Sequence, residues 1–98
     1  MPKRFNDSGN TAVFTTKFIL NNGKDITTVH HYEEDGAWQF SSSDEIGDFE
    51  EAARVVSLDE IVKLDDTLLE ISDLPEGFMA FRNSKIDKWE IKKIQISN

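Results

Sequence analysis

None of the 98 residues is a cysteine. Disulfides, thiol nucleophiles and thiolate-bound zinc are therefore excluded. No apolar run exceeds four residues, far short of the roughly 20 needed to cross a bilayer as a helix. The first ten residues, Met1 to Asn10, are polar and hold no apolar signal-peptide core, so a cytoplasmic location is expected. Positive charge is in deficit, with 11 Lys and Arg against 19 Asp and Glu and a net charge of −8. Such a chain repels phosphate backbones, which argues against nucleic acid as a partner. Glycine-based site motifs are also missing. There is no G-x-G-x-x-G, no phosphate-binding loop and no G-x-S-x-G.

What is present suffices for one folded domain. Leu, Ile, Val and Phe together supply 27 residues, above the roughly 20% below which charged chains stay disordered. The length fits one domain over residues 11–98. Residues 1–10 read as a flexible lead, with Phe5 as their one anchor to the body.

The periodicity predicts an α+β fold with a mostly antiparallel sheet of about five strands and one or two short helices packed on one face. Thr11 to Leu20 alternates and reads as a half-buried strand. Asn21-Asn22-Gly23-Lys24 follows, and Asn-Gly is the strongest short hairpin signal. Ile26 to Glu33 is then the return strand. The turn Glu34-Asp35-Gly36 leads into a third strand, Ala37 to Ser41, completing a meander. Ser42 to Ala53 reads as a loop with room for a helical turn, and Arg54-Val55-Val56 as a short strand or extended lead-in.

Ser57 to Leu64 is the clearest helix. Ser57 and Glu60 form an S-x-x-E capping box, and Leu58, Ile61 and Val62 make an apolar stripe. Continued by one step, the stripe reaches Asp65. Burying an unpaired carboxylate is costly, so the helix breaks there and Asp65 caps a second short helix, Asp66 to Ile71. Asp73-Leu74-Pro75-Glu76-Gly77 forms a turn. Phe78 to Arg82 and Lys88 to Ile96 read as the last strands. The second of these slips phase, which calls for a bulge near Lys92-Lys93.

Candidate chemistry is sparse. His30 and His31 are strand neighbours and point to opposite faces, so they cannot act on one substrate or share a metal. The carboxylates form no calcium-loop pattern. No catalytic residue, metal site or cofactor is assigned, and no enzymatic activity is expected. Trp38 and Trp89 read as core residues of a small sheet.

Charge is unevenly spread. Residues 33–76 hold fifteen acids against Arg54 and Lys63, between mildly basic ends. Within this block, Asp44, Glu45, Asp48, Phe49, Glu50 and Glu51 place a large apolar group among carboxylates. That combination suits a face that grips a basic protein partner.

Two stretches carry a family resemblance. Asp35-Gly36-Ala37-Trp38-Gln39-Phe40 with Ser43-Asp44-Glu45 is similar to an acidic-small-Gly-Trp signature ending in a Gly-Asp-Glu loop. Val56-Ser57-Leu58-Asp59-Glu60-Ile61, Asp65 and Leu74-Pro75-Glu76-Gly77 resemble the second half of the same pattern. The family is a set of small bacterial proteins proposed as immunity proteins of polymorphic toxin systems. The resemblance spans about residues 12–89. It departs from the pattern at Ala37 and Ser43, where glycine is usual, and at Asp66, where proline often opens the second helix. It implies a non-enzymatic protein that neutralises a cognate toxin, and it supplies no catalytic residues. The competing expectation is a small regulatory or ligand-binding module that uses the sheet face bearing His31 and Gln39.

Overall fold

The alternating stretch that opens at Thr11 is a strand only as far as Thr16. The computed structural model describes residues 4–43 and 49–94. In chain order its elements are β1 (Ala12–Thr16), α1 (Lys17–Asn22), β2 (Thr28–His31), β3 (Trp38–Ser41), α2 (Phe49–Ala52) and β4 (Ala53–Ser57). There follow α3 (Leu58–Leu64), a 3₁₀ helix (Asp66–Ile71), β5 (Phe78–Phe81) and β6 (Glu90–Lys93). The fold is α+β, as expected, and the described residues form six strands because the Arg54–Val56 segment is a full member of the sheet.

The strand order is β4-β1-β3-β2-β5-β6. All pairings are antiparallel except β1 with β3. The expected three-strand meander is therefore wrong in its first step. Lys17 to Asn22 coils into α1 and buries Ile19. Gly23 then closes that helix in the left-handed region, at φ 66°, and donates its N–H to the Phe18 carbonyl. An Asn-Gly pair serves a helix C-terminus as readily as a hairpin, since both need a residue tolerant of positive φ. The three consecutive apolar residues Phe18-Ile19-Leu20 fit neither period and cannot decide between them. With a helix between them, β1 and β2 no longer pair. β2 and β3 still form a hairpin, and β3 lies parallel to β1.

The inward residues of the sheet are Val13, Val29, Trp38, Phe40 and Ala80. They form one buried cluster with Ile19, Leu58, Ile61, Leu68, Ile71 and Leu74 from the helices and turns. Phe5 joins this cluster and meets Trp38 edge to face at 4.9 Å between ring centres. Trp38 is fully in the core, as expected, whereas Trp89 is half-buried. β6 pairs with β5 in unbroken register from Phe78↔Lys93 to Phe81↔Glu90, so the bulge expected at Lys92-Lys93 is absent.

The capping box at α3 is complete. Ser57 Oγ accepts from the Glu60 N–H at 3.2 Å, and Glu60 Oε1 accepts from the Ser57 N–H at 3.3 Å. Asp65 ends this helix and caps the 3₁₀ helix by accepting from the Thr67 N–H at 3.0 Å. It is also buried, against the premise that placed it there, because it has a cation. Arg82 Nη2 donates to Asp65 Oδ2 at 2.7 Å. The remaining guanidinium donors are used as well. Nε and Nη2 both reach the Ile26 carbonyl at 3.1 and 3.0 Å, and Nη1 reaches Thr67 Oγ1 at 2.9 Å and the Lys85 carbonyl at 3.1 Å. Trp89 lies over the guanidinium plane at 3.9 Å.

Removing one member of such a pair leaves an uncompensated buried charge, at a cost of about 3–5 kcal/mol. Arg82→Met and Asp65→Leu should each lower stability on that order in urea unfolding. The double variant should recover only part of the loss, because the Ile26 carbonyl still lacks its donors. Full recovery would show that the guanidinium's backbone bonds contribute little.

Candidate partner-binding face

Residues paired across a sheet project to the same side. One row of the face turned away from the helices therefore reads Val55, Phe14, Gln39, His30, Met79 and Lys92, from β4 to β6. No residue of this row belongs to the buried core. Val55 is 61% and Phe14 39% exposed, side by side on the two outermost strands at that edge. Thr16 and Ser41 share the face but are buried, so it closes off toward the α2 end.

The middle of the row is a small polar assembly. Tyr32 stacks on His30 with ring centres 5.5 Å apart and donates its hydroxyl to Gln39 Oε1 at 3.2 Å. His30 is half-buried, and its Nδ1 is enclosed with no hydrogen-bond partner among the described residues. Burial disfavours its charged form and lowers its pKa. Burial raises the Tyr32 pKa, and the charge of Glu34 raises it further.

His31 is on the other side, as the opposite-face rule requires. Its ring stacks on Trp38 at 3.8 Å and its Nδ1 donates to the Leu74 carbonyl at 2.7 Å. The expectation that His31 shares a face with Gln39 is thus corrected, since the histidine beside Gln39 is His30. Sequence phase held the information. Trp38 and Phe40 are both inward, and β2 pairs residue for residue with β3. Only the register was missing.

The structure divides the acidic block. Glu50 and Glu51 are exposed together on α2, directly before β4, and Glu51 pairs with Lys17. Asp59 and Glu60 are exposed in the first turn of α3, directly after β4. Glu33, Glu34 and Asp35 occupy the β2–β3 turn, next to the turn that carries Glu76. Asp65 is interior. Of the residues assigned to partner binding, Asp44, Glu45 and Asp48, with the side chain of Phe49, lie outside the described residues.

Among the described residues no group of three His, Asp or Glu is placed to hold a metal. The concave features are open. One cleft of about 460 Å³ lies between residues 4–9 and α3, lined by Arg4, Asp7 and Asp59 with Phe5, Leu58 and Val62 among its apolar walls. No helix among the described residues is long and apolar enough to cross a membrane. No protein-family model, curated protein or solved structure matches the chain.

The lowered His30 pKa has a consequence for stability. The unfolded chain takes up a proton on His30 near the ordinary value of 6.5, while the folded chain resists it. Stability should therefore fall as pH drops below about 6.5 toward the lower folded pKa. Thermal unfolding of the wild type and of His30→Gln between pH 7.5 and 5.5 measures this. The wild type should lose more melting temperature over that interval, and parallel curves would refute the desolvated histidine.

Proposed function

We propose that this chain is a non-enzymatic bacterial protein of the cytoplasm that binds a basic protein partner. In its specific form the reading is an immunity protein that neutralises a cognate toxin by covering it. The observation that carries the reading is the exposed Phe14–Val55 pair on a sheet face, beside the carboxylates of α2. An apolar centre with a charged border is the anatomy of a protein interface. Phe14 and Val55 are adjacent, an aromatic beside a β-branched group, and so can form such a centre together. The resemblance to the immunity-protein pattern supports the same conclusion. In this reading Asp44, Glu45, Asp48, Glu50 and Glu51 supply attraction at a distance, and Phe49 adds an apolar anchor.

Charge and apolar area act on different rates. Carboxylates steer the encounter, so salt and charge reversal should change association more than dissociation. Apolar anchors hold the complex once formed. The test is binding to the toxin domain encoded beside this gene, followed by interferometry. Raising salt from 50 to 300 mM should slow association on the order of tenfold, as the screening length shortens. Glu50→Lys with Glu51→Gln should do the same at low salt. Phe14→Ala with Val55→Ala should instead speed dissociation. Absence of binding, or an association rate indifferent to both salt and the charge variants, would overturn the reading.

A further inference from the structure

Of the six asparagines in the chain, Asn22 alone is followed by glycine. Beyond its place at the end of α1, that pair carries a reaction of its own. A backbone nitrogen can attack the side-chain amide carbon of the asparagine before it and close a five-membered ring. A side chain on the attacking residue obstructs the approach, and glycine has none. The surroundings are open as well. A Cβ built on Gly23 would meet nothing within 4 Å. Asn21, Asn22, Gly23 and Lys24 are all exposed, and Gly23 lines two open clefts, so water reaches the site.

One contact stands in the way. The Gly23 nitrogen is the nucleophile, and its N–H is given to the Phe18 carbonyl. Ring closure therefore requires the last turn of α1 to open. That turn is weakly held. α1 has six residues, too few for a helix to be stable alone. Thr16 gives it no side-chain cap, no basic residue stands in its last turn, and Ile19 is its one buried residue. The Lys24 N–H leans on the same Phe18 carbonyl at 3.3 Å, so a single acceptor holds the C-terminal cap. Exposed segments with few buried contacts open locally while the rest of a protein stays folded.

We propose that Asn22 is a deamidation site gated by this cap. When the turn opens, the Gly23 nitrogen bonds to Asn22 Cγ. Its proton passes to the departing side-chain nitrogen, which leaves as ammonia, and a succinimide remains. Water then adds to one of the two ring carbonyl carbons and breaks the bond from that carbon to nitrogen. Addition at the side-chain carbon gives aspartate. Addition at the main-chain carbon gives isoaspartate, with the chain now running through the former side chain. Either product sets a carboxylate among the unpaired carbonyls at the end of α1, where negative charge is disfavoured. Either takes the net charge of −8 one unit further. Isoaspartate also lengthens the main chain directly ahead of the left-handed Gly23 and so removes the cap. The contact that delays the reaction is lost by it, and the turn does not close again.

Asp35-Gly36 is the natural comparison, since the same ring can form there. Its carboxyl group is the poorer electrophile and is engaged, with Asp35 Oδ1 accepting from the Ala37 N–H at 3.0 Å. The Gly36 N–H is held by the Tyr32 carbonyl at 3.0 Å, and Glu76 Oε2 lies 2.8 Å from where a Cβ would stand. Ring closure is slower at that pair.

The test is incubation of the full chain at neutral pH and physiological temperature. Peptide mapping by mass spectrometry should show the amide-to-acid mass gain at Asn22 before Asn6, Asn10 or Asn83. Isoaspartyl methyltransferase with S-adenosylmethionine should label the Asn22 peptide ahead of the Asp35 peptide. The chain unfolded in guanidinium chloride should convert Asn22 about fivefold faster, the factor by which one net backbone hydrogen bond of about 1 kcal/mol keeps the turn closed. Aged wild type should melt below fresh protein. Asn22→Gln, whose longer side chain closes a larger ring slowly, should keep its melting temperature through the same incubation. The proposal is overturned if Asn22 stays intact in the folded chain while converting in the unfolded one, if both convert at the same rate, or if Asn83 converts first. An equal loss of melting temperature in Asn22→Gln would overturn the link between the modification and the cap.

Discussion

A buried guanidinium ties α3, the 3₁₀ helix and the loop toward β6 to the sheet. Arg82 leaves the end of β5 and finds acceptors for its donors in four separate places. These are the Ile26 carbonyl before β2, Asp65 between the two helical segments, Thr67 in the second of them, and the Lys85 carbonyl in the loop toward β6. Taking a cation out of water is tolerable only when its donors are satisfied and a counter-charge is present. Both conditions hold, and both depend on segments distant in sequence. The network therefore has one low-energy arrangement. Within it α3 must end at Asp65, the 82–89 loop must fold back, and Trp89 must lie over the guanidinium. Such a network fixes a unique packing more than it adds net stability.

That network also explains how far local reading reaches. The break at Asp65 and the cap of the following helix are legible because capping is a property of a few adjacent residues. Their deeper cause is not, because Arg82 is 17 residues away and its pairing is tertiary. The reasoning that a lone carboxylate avoids the interior led to the correct helix boundary through an incomplete premise. Asp65 enters the interior with its cation. The same distinction separates the elements that carry a local signal from those that do not. β2, β3, α3 and β5 carry a clear period or cap. Lys17 to Asn22 carries neither, and the chain chose helix there through the burial of Ile19 and a left-handed Gly23.

One misread segment propagated into the topology. A strand through Leu20 makes β1 and β2 neighbours and hides the real neighbour of β1. Once α1 intervenes, β3 takes the place beside β1 and β4 pairs on its free side. The candidate face follows from those pairings alone. Phe14, Gln39, His30 and Val55 lie 9 to 41 residues apart in sequence, and only register sets them in one row. Composition shows that the chain is acidic and free of cysteine. It does not show that the acids divide between α2, the first turn of α3, the β2–β3 turn and the interior.

That division gives the acidic charge a role that a single patch would not have. Spread over several surfaces, the carboxylates raise the potential around the whole body and keep copies of it apart. At β4 they become local, because an acidic turn closes each end of that strand and its own arginine is folded back. The other edge needs no such arrangement, since Lys92 and Lys93 guard it directly. At β4 the chain caps its own edge, since the Ala53 carbonyl accepts from Arg54 Nη1 and the Ser57 N–H is held by Glu60 Oε1. Each edge thus resists pairing by a different device, charged side chains on β6 and local capping on β4.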